Sequence, residues 1–356
     1  MPPQGNSWTP CASIQPPKRK STQLGWSGRD FVLSLLRMIP NLMQPIRRKV
    51  DSVAENLPLP ARRDFTRYLH RARRNNQRTT LRAGSRIPPY WLLLPWWVSK
   101  AQIRHATPQV LDDILWGQYC LYLGIRIRDD LFDRHTWSRH LGSASTKFLQ
   151  EAKKAYLRHF PPASVFWTYH RRCLHSTQVA ILCVDRIQRN RSSRPSHLLR
   201  EYAKVSSIFK VGAFALCVLL QRKEWMQQIS QFADGLATAG QILDDLEDIS
   251  DDLAAGRLNY AALFTLKSFQ RKNLSLTRLS ARIANQIFFS DTVDGIFAVA
   301  RHHLDLAASA LKSLPVPGPV SYLNHYYTQL DKYQKDLRSE RSRFISFSQI
   351  MLPKPG

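Results

Sequence analysis

Acidic residues are scarce in this chain, and where they gather, their spacing suits cation chemistry. Lys and Arg total 52 against 26 Asp and Glu, a formal net charge of +26. Against that background Asp129, Asp130 and Asp133 spell Asp-Asp-x-x-Asp, and Asp244, Asp245 and Asp248 spell it a second time, with Asp252 one turn further on. On a helix, Asp129 and Asp133 share a face, because positions i and i+4 are neighbours. Asp244, Asp248 and Asp252 form a stripe with a rise of ~6 Å between members. Such stacking of like charge costs a helix a few tenths of a kcal/mol per pair, and a divalent cation turns the repulsion into attraction. Sites made only of carboxylate oxygens suit Mg²⁺, which keeps several waters and shares its shell with substrate phosphates. One such cluster reads equally well as an acidic solvent face. Two in a basic chain, the second interleaved with Ile242, Leu243, Leu246, Ile249 and Leu253, point to packed helices that present carboxylates on purpose.

The elements that must carry these residues are helices. Eleven of the 21 prolines lie in residues 1–89 and none lies between Ser196 and Leu314, which long helices require because an interior proline costs ~3 kcal/mol. Leu198, Tyr202, Val205 and Phe209 follow the i, i+3, i+4 spacing, as do Ile229, Phe232, Leu236 and Ala239. Alternating strands with tight turns are not evident, so the fold class is all-α. The pattern predicts helices over 30–42, 60–74, 90–104 (interrupted near Pro95), 108–132, 145–158, 163–189, 196–222, 224–253, 275–289, 291–313 and 319–340. Residues 1–59 read as a basic, partly disordered region, 60–345 as one helical domain and 346–356 as a tail.

Composition narrows the function classes. Five scattered cysteines without a C-x-x-C pair exclude a disulfide framework and a zinc ribbon and fit a reducing, cytoplasmic setting. Apolar runs such as 211–220 are about half the ~20 residues of a spanning helix, and the first thirty residues hold no signal-peptide core. Residues 1–100 carry 18 basic and 4 acidic side chains, enough to attract an anionic membrane surface or another polyanion. No nucleic-acid-binding motif accompanies the charge. His135/His140 and His170/His175 are five apart and share no helix face, and no P-loop, Rossmann fingerprint or nucleophile elbow occurs.

The paired motifs resemble those of class I isoprenoid synthases, which include trans-prenyl diphosphate synthases and terpene cyclases. Lys204-Val205-Ser206-Ser207-Ile208-Phe209 resembles the family's Lys-Thr-x-x-Leu-Phe segment, and Gln241 and Gly256-Arg257 fall at matching positions around the second motif. The resemblance implies a single bundle of long helices around an apolar cavity, with both aspartate motifs at its mouth holding three Mg²⁺ ions on a prenyl diphosphate. It implies metal-binding roles for Asp129, Asp130, Asp133, Asp244, Asp245, Asp248 and Asp252, with Asp129, Asp133, Asp244 and Lys204 central to catalysis. Diphosphate contacts fall to Arg86, Arg139, Lys204, Gln241 and Arg257, and the cavity lining to Leu121, Gly124, Ile125 and Phe209. Homodimers are common among such enzymes. Aromatic residues near the motifs (Trp91, Trp96, Trp97, Trp116, Tyr119, Tyr122, Phe209 and Phe214) are candidates to face a carbocation, although plain core packing is the better reading of any single one.

Departures from the family pattern bear on the reaction. The segment where elongating members bind isopentenyl diphosphate with Gly-Gly-Lys-x-x-Arg reads Gly84-Ser85-Arg86-Ile87-Pro88, and their paired arginines after the first motif read Ser138-Arg139. Each lost cation removes a charge-assisted contact of ~1.5–3 kcal/mol. The expectation is therefore an enzyme that ionises one prenyl diphosphate and cyclises or quenches the cation. A chain-elongating trans-prenyl diphosphate synthase is the alternative, and a non-catalytic helical scaffold for anionic partners is a second alternative.

Overall fold

The computed structural model describes residues 43–76, 89–101, 106–132, 138, 140–267, 276–314 and 318–351, and among these the regular structure is helical throughout. The helices are α1 (43–55), α2 (Leu59–Asn76), α3 (Tyr90–Lys100), α4 (Pro108–Phe132), α5 (Leu141–Leu157), α6 (Phe166–Gln188), α7 (Pro195–Val205), α8 (Val211–Leu219), α9 (Met226–Glu247), α10 (Ile249–Ala254), α11 (Tyr260–Leu266), α12 (Leu276–Phe289), α13 (Thr292–Leu311) and α14 (Gly318–Met351). The expected helix over 30–42 lies outside the described residues. The helical body begins earlier than residue 60, since Ile46, Val50 and Leu57 are buried in the common core, and α14 runs past residue 345.

Two antiparallel pairs, α4 with α5 and α9 with α13, dominate the packing; α3 and α8 pack on one another. Close approach is set by missing side chains. A Cβ at Gly124 would stand 2.8 Å from Leu149 Cδ2 on α5, and one at Gly235 would stand 2.6 Å from the carbonyl oxygen of His303 on α13. Phe65 of α2 meets Phe148 of α5 with ring centroids 5.1 Å apart.

Three expected helices differ in the structure, each for a local reason. Helix α3 is continuous through Pro95, whose ring fits because residue 212 is glycine: a Cβ there would meet Pro95 Cγ at 2.9 Å. The helix expected over 196–222 is broken by a 3₁₀ turn, Ser206–Lys210. There the Ile208 amide donates to Thr177 Oγ1 (3.0 Å), Gln118 Nε2 donates to the Ile208 carbonyl (3.0 Å) and the Gly212 amide donates to Gln118 Oε1 (2.7 Å), so side chains take over bonds an α-helix would make itself. The helix expected over 224–253 stops at Glu247 and restarts at Ile249, with Asp248 at φ −91° and ψ 7°. The segment 195–219 is long and apolar enough to cross a membrane by length and composition, and 61% of its apolar window is buried inside the bundle.

Asp113, 2% exposed, ties the start of α4 to the end of α5 through Arg158 Nη1 at 2.7 Å and His159 Nε2 at 3.0 Å. Burial pushes its carboxyl up, but hydrogen bonds from His159, Gln109 and Arg158 outweigh burial and hold it below the usual value. A depressed carboxylate stabilises the fold above its unfolded pKa of about 4 and loses that contribution as pH falls through the lowered folded value. Asp113→Asn is expected to lower stability at pH 7 by about 2 kcal/mol, and urea unfolding at acid pH should find the gap to the parent narrowed. Gly235→Ala gains about 1 kcal/mol of helix propensity but overpacks a backbone carbonyl at a cost of about 1–3 kcal/mol. Its urea midpoint is expected below the parent's; a raised midpoint would mean that α9 and α13 separate freely.

Candidate functional site

The leading aspartate pair of each motif lies in the last turn of a helix, α4 for the first and α9 for the second. Asp129 and Asp130 lie in the last turn of α4, and Asp133, after its end, lies outside the described residues, as do Arg86 and Arg139. Arg126, one turn earlier, places Nη1 3.7 Å from Asp129 Oδ2 and Nη2 3.1 Å from Asp130 Oδ1. The Tyr68 hydroxyl of α2 donates to Asp130 Oδ2 at 2.6 Å, and burial together with that carboxylate pushes the phenol well above its ordinary pKa, so it remains a donor. Asp130, 8% exposed, is thus engaged in anchoring α2, whereas Asp129 is half-buried. Ser138, at the position of the missing arginine, donates a hydrogen bond from its hydroxyl to Asp64 of α2.

The second motif is built around a buried carboxylate. Asp245, 3% exposed, accepts from Tyr202 Oη on α7 (2.5 Å), Gln241 Nε2 (2.9 Å) and the Tyr260 amide (2.8 Å). Burial pushes its carboxyl up to about 7, although all three donors pull the other way. Asn259 caps α11 by accepting from the Ala262 amide and donates to the Asp245 carbonyl (2.6 Å) and to Asp252 Oδ2 (2.8 Å). Arg257 Nη2 stands 3.1 Å from Asp252 Oδ1, brought there by a turn through Gly256, whose φ of +73° suits glycine alone at low cost. Asp245 and Asp252, expected as metal ligands, are therefore bonded to the protein, and the i, i+4, i+8 stripe crosses the helix break at Asp248. Asp244 is half-buried and Asp248 exposed. Lys204 pairs with Glu201 Oε1 at 2.9 Å.

Rings pack together where α3, α4 and the 3₁₀ turn meet. Trp91 of α3 stacks on Tyr122 of α4 (centroids 4.2 Å, 30°) and lies 6.0 Å from Phe209 in the 3₁₀ turn; Tyr119 and Tyr90 join the cluster at 6.2 Å from Trp91 and 5.9 Å from Phe209. Trp91 is buried, while Tyr122 and Phe209 are half-buried. Leu121 and Ile125 are buried on the face of α4 that carries Gln118 toward the turn. Gly124 faces α5 instead: its missing side chain makes room for Leu149, so the reading of it as a cavity position is corrected. Trp97 packs instead on Tyr322 and Phe232, and Trp116 lies under Lys49.

Sequence reasoning missed Tyr68, Arg126, Tyr202 and Asn259, whose roles depend on contacts across helices; only the Asn before an apolar run, a capping signal, marked Asn259. It also missed Tyr333 of α14. Its phenol is raised by burial and then by the charges of Glu247, Glu340, Asp248 and Asp244, which puts the last helix beside the second motif. Among the described residues no three His, Cys, Asp or Glu side chains are close enough to hold a metal ion by themselves. The donor chemistry nonetheless fits Mg²⁺, which is bound by one or two carboxylates together with substrate phosphates. Tyr202→Phe removes one donor from a buried carboxylate and is expected to cost about 1.5–3 kcal/mol in urea unfolding; an unchanged midpoint would mean that the Asp245 network does not hold α7 to α9.

Neither a family model nor a curated protein matches the sequence. Solved structures do match. A heptaprenyl diphosphate synthase from Staphylococcus aureus superposes with a TM-score of 0.64 at 13% identity, over 82% of this chain and 97% of the other. A decaprenyl diphosphate synthase from Rhodobacter capsulatus does so with a TM-score of 0.64 at 12% identity, over 85% and 99%. A geranylgeranyl pyrophosphate synthetase from the archaeon Geoglobus acetivorans follows at 0.60 and 15%, over 82% and 98%. The chain has the all-α fold of class I isoprenoid synthases.

Proposed function

We propose that the protein ionises a linear allylic prenyl diphosphate and joins the resulting cation to a second isoprenoid unit, releasing diphosphate. The observation that carries this reading is the arrangement of α4 and α9. Each ends in an aspartate motif, each is bonded to the same turn, Ser206–Lys210, and an aromatic wall lies between them. The similar folds belong to enzymes named as prenyl diphosphate synthases, which favours elongation over the cyclising reaction expected from the sequence.

Asp129, Asp244 and Asp248 would hold Mg²⁺, and magnesium supplies the positive charge that lets the diphosphate leave without a strong acid. Lys204 and Arg257 are the described cations that would receive the leaving group, each by exchanging its present carboxylate partner for phosphate oxygens; Arg86 and Arg139 join them by sequence alone. Trp91, Tyr122 and Phe209 exclude water from the allylic cation and present ring faces to it, worth ~0.5–2 kcal/mol each. Capture of the cation within one substrate is the second reading, favoured by Ser138: where elongating relatives carry an arginine, this chain has a hydroxyl committed to Asp64.

Incubation with geranyl, farnesyl or geranylgeranyl diphosphate, Mg²⁺ and labelled isopentenyl diphosphate tests both. Label in longer prenyl chains is the expected result. Diphosphate release without incorporation selects the second reading, and no release from any substrate refutes both. Asp129→Ala and Asp244→Ala are each expected to lower turnover at least about a hundredfold with unchanged helicity.

A further inference from the structure

Helix α2 carries a row of exposed positive charge that the proposed reaction does not use. Arg63, Arg67 and Arg71 recur at i, i+4 and i+8, all exposed, with His70 beside them. They climb the helix in steps of ~6 Å. The opposite face is fixed in the core through buried Ala61 and Phe65, so the row is preformed rather than ordered on binding. Asp64, the acidic residue of α2, is drawn aside by the Ser138 hydroxyl, and its other oxygen stays 3.9 Å from Arg67. Arg47 and Arg48 on α1 are exposed as well. The same helix reaches the first aspartate motif through Tyr68 and Asp130.

We propose that this arginine row is a docking surface for an anionic lipid bilayer. Guanidinium rows attract any polyanion, and two features select lipid. Leu59, one turn before Arg63 on the same face of α2, is 69% exposed; a large apolar side chain beside basic ones is what the headgroup–acyl boundary accepts. The exposed face of α2, as far as its side chains are described, presents Arg63, Thr66, Arg67, His70 and Arg71 without a Phe, Tyr or Trp on which unpaired bases would stack. Docking is electrostatic and reversible, since the apolar face of α2 is already spent on the core. It brings the first motif to the surface in which long prenyl chains dissolve, but lipid binding itself does not depend on the reaction assigned above.

The test is sedimentation of the full-length protein with vesicles of phosphatidylcholine alone or mixed with phosphatidylglycerol, without substrate. Binding is expected to the mixed vesicles only, and to be reversed by salt. Replacing Arg63, Arg67 and Arg71 together by Gln should weaken it about a hundredfold, and Arg67→Gln alone about fivefold, whereas the triple Lys variant should bind like the parent. No binding to anionic vesicles, or Gln variants that bind like the parent, would overturn the proposal. So would single-stranded RNA that binds more tightly than the vesicles with the same dependence on the three arginines.

Discussion

Five residues that leave the α-helical path, Ser206–Lys210, hold the interior of this protein together. Their backbone is bonded from Gln118 on α4 and Thr177 on α6, and the Ser206 hydroxyl reaches Asp234 on α9 at 2.7 Å. Lys210, 6% exposed, closes the arrangement with Nζ 2.5 Å from Asp234 and 2.9 Å from Ser230. A buried charge with its partner in place is tolerated, whereas the same charge alone is not, so register between the turn and α9 is specified more sharply than apolar contacts would do. The turn also aims Phe209 at Trp91, which makes the aromatic wall a consequence of the polar joint behind it.

Several carboxylates of the site already face cations of the same chain. Asp129 and Asp130 face Arg126, Asp252 faces Arg257, and Glu201 faces Lys204. In a chain with 52 basic residues, carboxylates are easily silenced by their own surroundings. On the function proposed above, a phosphate ligand would bind by exchange, taking cations from carboxylates while metal ions would take the carboxylates in return. The energy of such an exchange is a difference between two sets of charge-assisted bonds, smaller than either set alone.

The sequence made the helical class and the paired motifs legible because both are local patterns: proline-free stretches, 3.6-residue periodicity and carboxylates at i, i+3 and i+4. The ends of α4 were readable from Pro108 at the first helical position and the polar run after Phe132. What periodicity could not give was any break made by a distant side chain, such as the turn held by Gln118 and Thr177, or the direction in which an aspartate points. Asp244 and Asp245 are adjacent and chemically identical, yet Tyr202 and the Tyr260 amide commit one to the interior. Gly124 misled for a similar reason: a missing side chain marks close approach without saying from which side, and here the neighbour is Leu149.

The interruption at Asp248 gives the acidic stripe a joint. An unbroken helix would fix Asp244 and Asp252 as points on a rigid rod. Here the Asp248 and Asp252 amides still reach back four residues to the carbonyls of Asp244 and Asp248, both at 2.9 Å, while the backbone at Asp248 lies off the helical path. Beyond that point Asn259 fastens Asp252 back to the Asp245 carbonyl of α9, so the carboxylate spacing is set by a side-chain tie and not by helix geometry alone.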